Sequence, residues 1–142
     1  MPQAAKTFDP VIGIDIHMVM VPTPAGPVPT PLPHPFIGFV WDPVGAAVAA
    51  GINLVFGGGP VYVNGLDAAN SGTDVKALVK HFPMPPGTSF APSDVPDNKG
   101  TFVTGSETVT FAGSSASRTG SMVSSCNFPI NLPTSACLAI PI

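Results

Sequence analysis

Charge is scarce in this 142-residue chain, with Asp, Glu, Lys and Arg together at 9% and a formal net charge of −3. Its five basic residues offer no clustered positive face, which excludes nucleic acid and anionic membrane as electrostatic partners. The longest apolar run, Pro43 to Phe56, is shorter than a membrane span, and the first ten residues lack the apolar core of a secretory signal. The chain is therefore expected to start in the cytoplasm. That origin favours free thiols or metal ligation for its two cysteines, Cys126 and Cys137, which are expected not to be bonded to each other. Abundant instead are 19 prolines, 15 glycines and a 44% apolar share. Low charge with that apolar content predicts one compact, loop-rich domain over residues 1–142 without long regular helices, and the strand patterns below make the expected fold mainly β.

The stretch from Lys99 to Cys126 organises the reading. Its β-branched and aromatic runs predict strands at Thr101–Thr104 and Thr108–Ala112, paired as a hairpin across Gly105-Ser106-Glu107. An earlier segment repeats its second half: sliding Val61–Val75 onto Val109–Val123 matches Val61 with Val109, Gly65 with Gly113, Ala68 with Ala116, Gly72 with Gly120 and Val75 with Val123. A third, partial copy aligns Ala4-Ala5-Lys6-Thr7 with Ala68-Ala69-Asn70-Ser71 and Ala116-Ser117-Arg118-Thr119. Three copies predict approximate threefold organisation. Glycine at the repeated positions suits tight corners, and alanine suits close backbone approach.

Val11–Val21 reads as a strand carrying His17. Prolines at 22, 24, 27, 29, 31, 33 and 35 then predict an extended, polyproline-like strap outside any sheet interior, pinned on the body with His34 held rigidly between Pro33 and Pro35. Asp42-Pro43 reads as a helix start, leading one short apolar helix to Phe56 that Gly57-Gly58-Gly59 ends. Asp74–His81 is expected to add a helical turn or two. The irregular connection from Lys80 to about Asn98 reads as a loop that orders around a site, with Asp94, Asp97 and Asn98 as turn residues.

His17, His34 and His81 are the only histidines, and each has a restrictive neighbour. With Cys126 they make a set suited to a closed, structural zinc or iron site, while histidines satisfied by backbone carbonyls beside a buried cysteine are the plainer alternative. Catalysis is not favoured. Asp15, His17 and Ser124 or Ser125 invite thought of a triad, yet no nucleophile-elbow or zincin spacing is present.

The repeat Val61–Asp74, its weaker form at Val109–Ser121 and Pro2-Gln3-Ala4-Ala5-Lys6 together resemble the PAAR-repeat proteins. The proline strap, W-D-P-V-G-A-A and S-S-C-N-F-P-I-N-L-P resemble in particular the N-terminal PAAR region of Rhs-type effectors. The resemblance implies a small cone of short strands and β-hairpins, with the strap and one short helix. It implies a non-enzymatic function, capping and sharpening the trimeric β-helical spike of a type VI secretion or related contractile injection system. A fused or bound effector would be carried with it, the chain standing by itself or as the N-terminal domain of a longer effector. It would be cytoplasmic before firing and then secreted or injected. The resemblance also implies zinc held by His17, His34, His81 and Cys126, with Cys137 as the substitute thiol. Where the family repeat carries Arg this chain has Asn70, and where it carries Asp the second copy has Ser121 or Met122. A small zinc-dependent hydrolase is the alternative function.

Overall fold

The computed structural model describes residues 3–56, 60–126 and 136–142. It is mainly β, with eleven strands and one helix among these residues. Six strands form three antiparallel pairs: β1 (Pro10–Val21) with β2 (Val28–Val40), β5 (Asp74–Ala77) with β7 (Lys99–Phe102), and β10 (Met122–Ser125) with β11 (Ala136–Ala139). Each pair also bonds the next, β2 to β5, β7 to β10 and β11 to β1, so the sheet closes on itself. Closure leaves no free edge around this barrel. Its interior holds Val11, Val75 and Val123 from the outgoing strands and Val40, Phe102 and Ala139 from the returning ones, all buried. Burying a Val or Phe is worth about 1.5–3 kcal/mol.

The three sequence repeats meet at one end of the barrel. The Ala5 N–H donates to the Ser117 carbonyl (2.9 Å), Ser117 N–H to Ala69 O (2.9 Å) and Ala69 N–H to Ala5 O (2.8 Å), closing a ring of three backbone hydrogen bonds. A second set joins Thr7 to Asp67, Ser71 to Ser115 and Thr119 to Gln3. The threefold expectation is met atom for atom at this ring. The acceptor beyond it is interchangeable: Asp9 Oδ2, Thr73 Oγ1 and Ser121 Oγ take the N–H of Lys6, Asn70 and Arg118 at 2.8, 3.0 and 3.0 Å. Hydroxyls therefore do the work of a carboxylate in two copies. The left-handed residue between is Gly72 (φ 101°) or Gly120 (φ 81°), but Phe8 (φ 70°) in the first copy, where its ring lies 5.5 Å from Trp41.

Two small hairpins lead into the ring, β3 (Tyr62–Val63) with β4 (Leu66–Asp67) and β8 (Thr110–Phe111) with β9 (Ser114–Ser115). Their turn residues Asn64-Gly65 and Ala112-Gly113 all have positive φ, the two-residue turn that suits strand twist. The expected hairpin of 101–104 with 108–112 does not form, because β8 turns back on β9 while β7 is taken by β5 and β10. A Cβ on Gly105 would stand 2.6 Å from Ser115, so that glycine serves a close approach. Nor does 74–81 turn helical: Asp74–Ala77 is β5, drawn into the ladder on both sides.

The proline strap is likewise a strand. β2 pairs with β1 in unbroken register from Val28–Val21 to Phe39–Pro10. Val40 exchanges hydrogen bonds with the β1 side, through Phe8 N–H and Asp9 O, whereas Ile37 O faces away to Leu78 N–H. Residues at odd positions thus turn their backbone nitrogens from β1, and Pro29, Pro31, Pro33 and Pro35 occupy that set. Proline there removes no ladder bond. The expected helix is present as α1 (Pro43–Phe56), with Asp42 Oδ1 accepting the Gly45 N–H at 2.6 Å. The Gly57–Gly59 stop lies outside the described residues. Among the described residues no helix is long and apolar enough to cross a membrane.

Candidate metal centre

Three parts of the chain meet at the end of the barrel away from the ring, and each brings a side chain to one place. The first is the outer half of the β1–β2 ribbon. Asp15 and His17, two residues apart, share its inward face, and His34 stands opposite Asp15 in register, turned inward by the same alternation that turns Pro33 and Pro35 out. The second runs on from β5 and carries His81, whose N–H donates to Asn98 Oδ1 at 2.7 Å. It returns through β6 (Ser89–Phe90), paired with β1, and through Asp94. The third opens at Cys126, directly after β10 and at φ 45°, with its N–H on Lys99 O at 2.6 Å.

Asp15, His17, His81 and Cys126 each place a donor atom within 4.8 Å of all the others and together can hold a metal ion. His81 Nδ1 is 3.3 Å from Cys126 Sγ. Two such atoms on one tetrahedral zinc would stand roughly 3.5 Å apart. His34 packs beside the group, its ring centroid 5.6 Å from that of His17 and 6.0 Å from that of His81, but it falls outside the set that shares mutual 4.8 Å spacing. Phe90 covers His17 and His34 at 5.6 and 5.4 Å, and Phe36 lies 6.0 Å from His81.

Every imidazole has one nitrogen fixed from behind. His34 Nδ1 lies 2.9 Å from Leu32 O, and His81 Nε2 lies 3.1 Å from Pro35 O. Carbonyls only accept, so those nitrogens carry the protons and leave His34 Nε2 and His81 Nδ1 as lone pairs. His17 Nδ1 faces Asp94 Oδ1 at 3.3 Å, and Asp94 Oδ2 also takes the Met18 N–H at 2.6 Å. The Nε2 atoms of His17 and His34 are buried without a hydrogen-bond partner. Orphaned buried nitrogens are costly, and a dication answers both. Histidine backed by carbonyl or carboxylate on the far nitrogen is the usual arrangement of a metal ligand.

Burial is the main cause that lowers the pKa of His34 and His81 below 6.5, which keeps both neutral and able to ligate. Burial, followed by the nearby Asp15 carboxylate, pushes the Cys126 thiol well above its ordinary value. A thiolate here needs a cation beside it. Cys126 has no disulfide partner among the described residues; the Cys137 side chain lies outside them, and the expectation on that pair lies outside them too.

Of the residues the sequence pointed to, His17, His81 and Cys126 come together, with His34 adjoining. Asp15 and Asp94 were read only as a triad thought and a turn residue. For Asp15 the signal was present in its spacing of two from His17 on one strand. No family model, curated protein or solved structure matches the chain.

Proposed function

We propose that this protein is a structural tip that caps a trimeric β-helical spike of the PAAR-repeat kind, as in a type VI secretion or related contractile injection system. The observation that carries the reading is the backbone ring of Ala5, Ala69 and Ser117, which gives one chain a near-threefold end. A symmetric trimer presents three equivalent strand ends, and a single polypeptide meets them equally only if it carries that symmetry itself. The short hairpins β3–β4 and β8–β9 adjoin the ring, with Tyr62 59% exposed and Thr110 exposed as well.

At the opposite end, His17, His34, His81 and Cys126 would hold zinc, tying the three parts of the chain into a cone tip. The metal would supply cross-linking rather than chemistry. His17, His34 and Cys126 are each 1% exposed, whereas a catalytic zinc keeps a position open to water or substrate. In this reading the protein is no enzyme, works in the cytoplasm until firing and then leaves with the spike, carrying an effector fused or bound to it.

Mixing the purified protein with a trimeric β-helical spike protein of the valine-glycine-repeat type tests the capping. One chain should bind per trimer, Tyr62→Asp or Thr110→Asp should weaken binding, and changes in the 83–86 loop should not. Three chains per trimer, or no binding, overturns it.

A further inference from the structure

We propose that Asp15 is the charge-balancing carboxylate of this metal centre, a positioning residue that stands behind the ligands and holds two of them in place. The inference rests on the metal reading above and goes beyond it by giving the anion a role. Asp15 is 0% exposed. Its Oδ1 accepts the Ser125 hydroxyl, and Ser125 immediately precedes Cys126 on the end of β10. Its Oδ2 lies 3.5 Å from His81 Nε2, whose hydrogen bond goes to Pro35 O, so the carboxylate orients that ring through its charge. One carboxylate thereby links β1, the His81 segment and the strand that delivers the thiolate.

Charge supplies the reason for a buried anion at this point. Three neutral imidazoles and one thiolate leave a bound dication with one uncompensated positive charge, and an unbalanced charge away from water is costly. Asp15, within 4.8 Å of the Cys126, His17 and His81 donors, cancels it. Asp94 is placed differently: it backs His17 through Nδ1, takes the Met18 N–H and is 6% exposed.

The experiment compares wild type with Asp15→Asn, which keeps shape and the acceptor for Ser125 while removing charge. Zinc affinity is read by competition with a chromophoric chelator, and cobalt(II) loading reports the thiolate-to-metal charge-transfer band. Zinc affinity should fall 10- to 100-fold, the cobalt band should shift, and the metal-free variant should unfold no earlier than metal-free wild type. Ser125→Ala, which retains the charge, should move the band with less than a tenfold loss of affinity. If wild type binds metal and Asp15→Asn binds it equally with the same band, the inference is overturned and the metal reading stands. Should Asp15→Asn fail to fold, an unmoved cobalt band in Ser125→Ala overturns it alone. Wild type that takes up neither zinc nor cobalt overturns both.

Discussion

At the residue scale, the buried polar side chains of the candidate metal centre are the ones whose replacement tests the metal reading. Cys126→Ser should lower metal content and, in buffer with free zinc at 100 to 1,000 times the dissociation constant, reduce stability by about 3–4 kcal/mol. Thermal unfolding with and without chelator checks this: chelator should destabilise wild type and leave the variant nearly unmoved. The histidines set a pH dependence. Because His34 and His81 have folded pKa values below 6.5, the unfolded chain takes up protons that the folded chain refuses once pH drops through 6.5. Stability should therefore be level above that pH and decline below it as pH approaches the folded values. For metal-free protein, the urea midpoint at pH 5.5 should lie below that at pH 7.5, and zinc loading should steepen the decline because protons compete for the same nitrogens.

At the element scale, the proline-rich strand β2 departs furthest from its sequence reading. A run with proline at alternate positions excludes a strand bonded on both sides, and beyond residue 37 β2 is indeed bonded to β5 as well as β1, but only where prolines are absent. From 28 to 36 its second side lacks a strand partner among the described residues. Proline there protects an edge that would otherwise offer N–H groups to another chain. Replacing Pro29, Pro31 and Pro33 together by Thr should lower monomer stability by about 1–3 kcal/mol, the sum over three sites at which proline limits the unfolded chain. Self-association should rise with concentration, measured by light scattering. A monomeric triple variant would remove edge protection as the reason for the ladder.

At the scale of the whole molecule, none of the three strand pairs of the barrel stands alone. Each outgoing strand is bonded to its own return and to the return of the neighbouring repeat, as Val11 is to Gly38 and Ala139, Val75 to Gly100 and Val40, and Val123 to Cys137 and Phe102. Removing one unit strips hydrogen bonds from the other two. Urea unfolding should consequently be a single transition, with Trp41 fluorescence and far-ultraviolet circular dichroism coincident. The Val11–Ala139 pairing joins the two ends of the chain, so refolding should fall in the slow, millisecond-to-second range of non-local β topologies.

What the sequence determined by itself was whatever depends on local spacing. The β1 strand, the Asp42-capped helix and the equivalence of Ala5, Ala69 and Ser117 could be read directly, since alternation, capping and repeat period are properties of neighbouring residues. His17 and His81 even lie at equal distances, twelve residues, beyond their ring alanines. Tertiary structure decided the rest. Whether proline blocks a strand depends on which side its nitrogen faces, and that is set by the partner strand. Whether β7 pairs with β8 or with β5 and β10 depends on competing partners distant in sequence. Its spacing of two from His17 puts Asp15 on the same face of β1, but Asp15 joins the candidate metal centre only because barrel closure brings that face against the ends of β5 and β10.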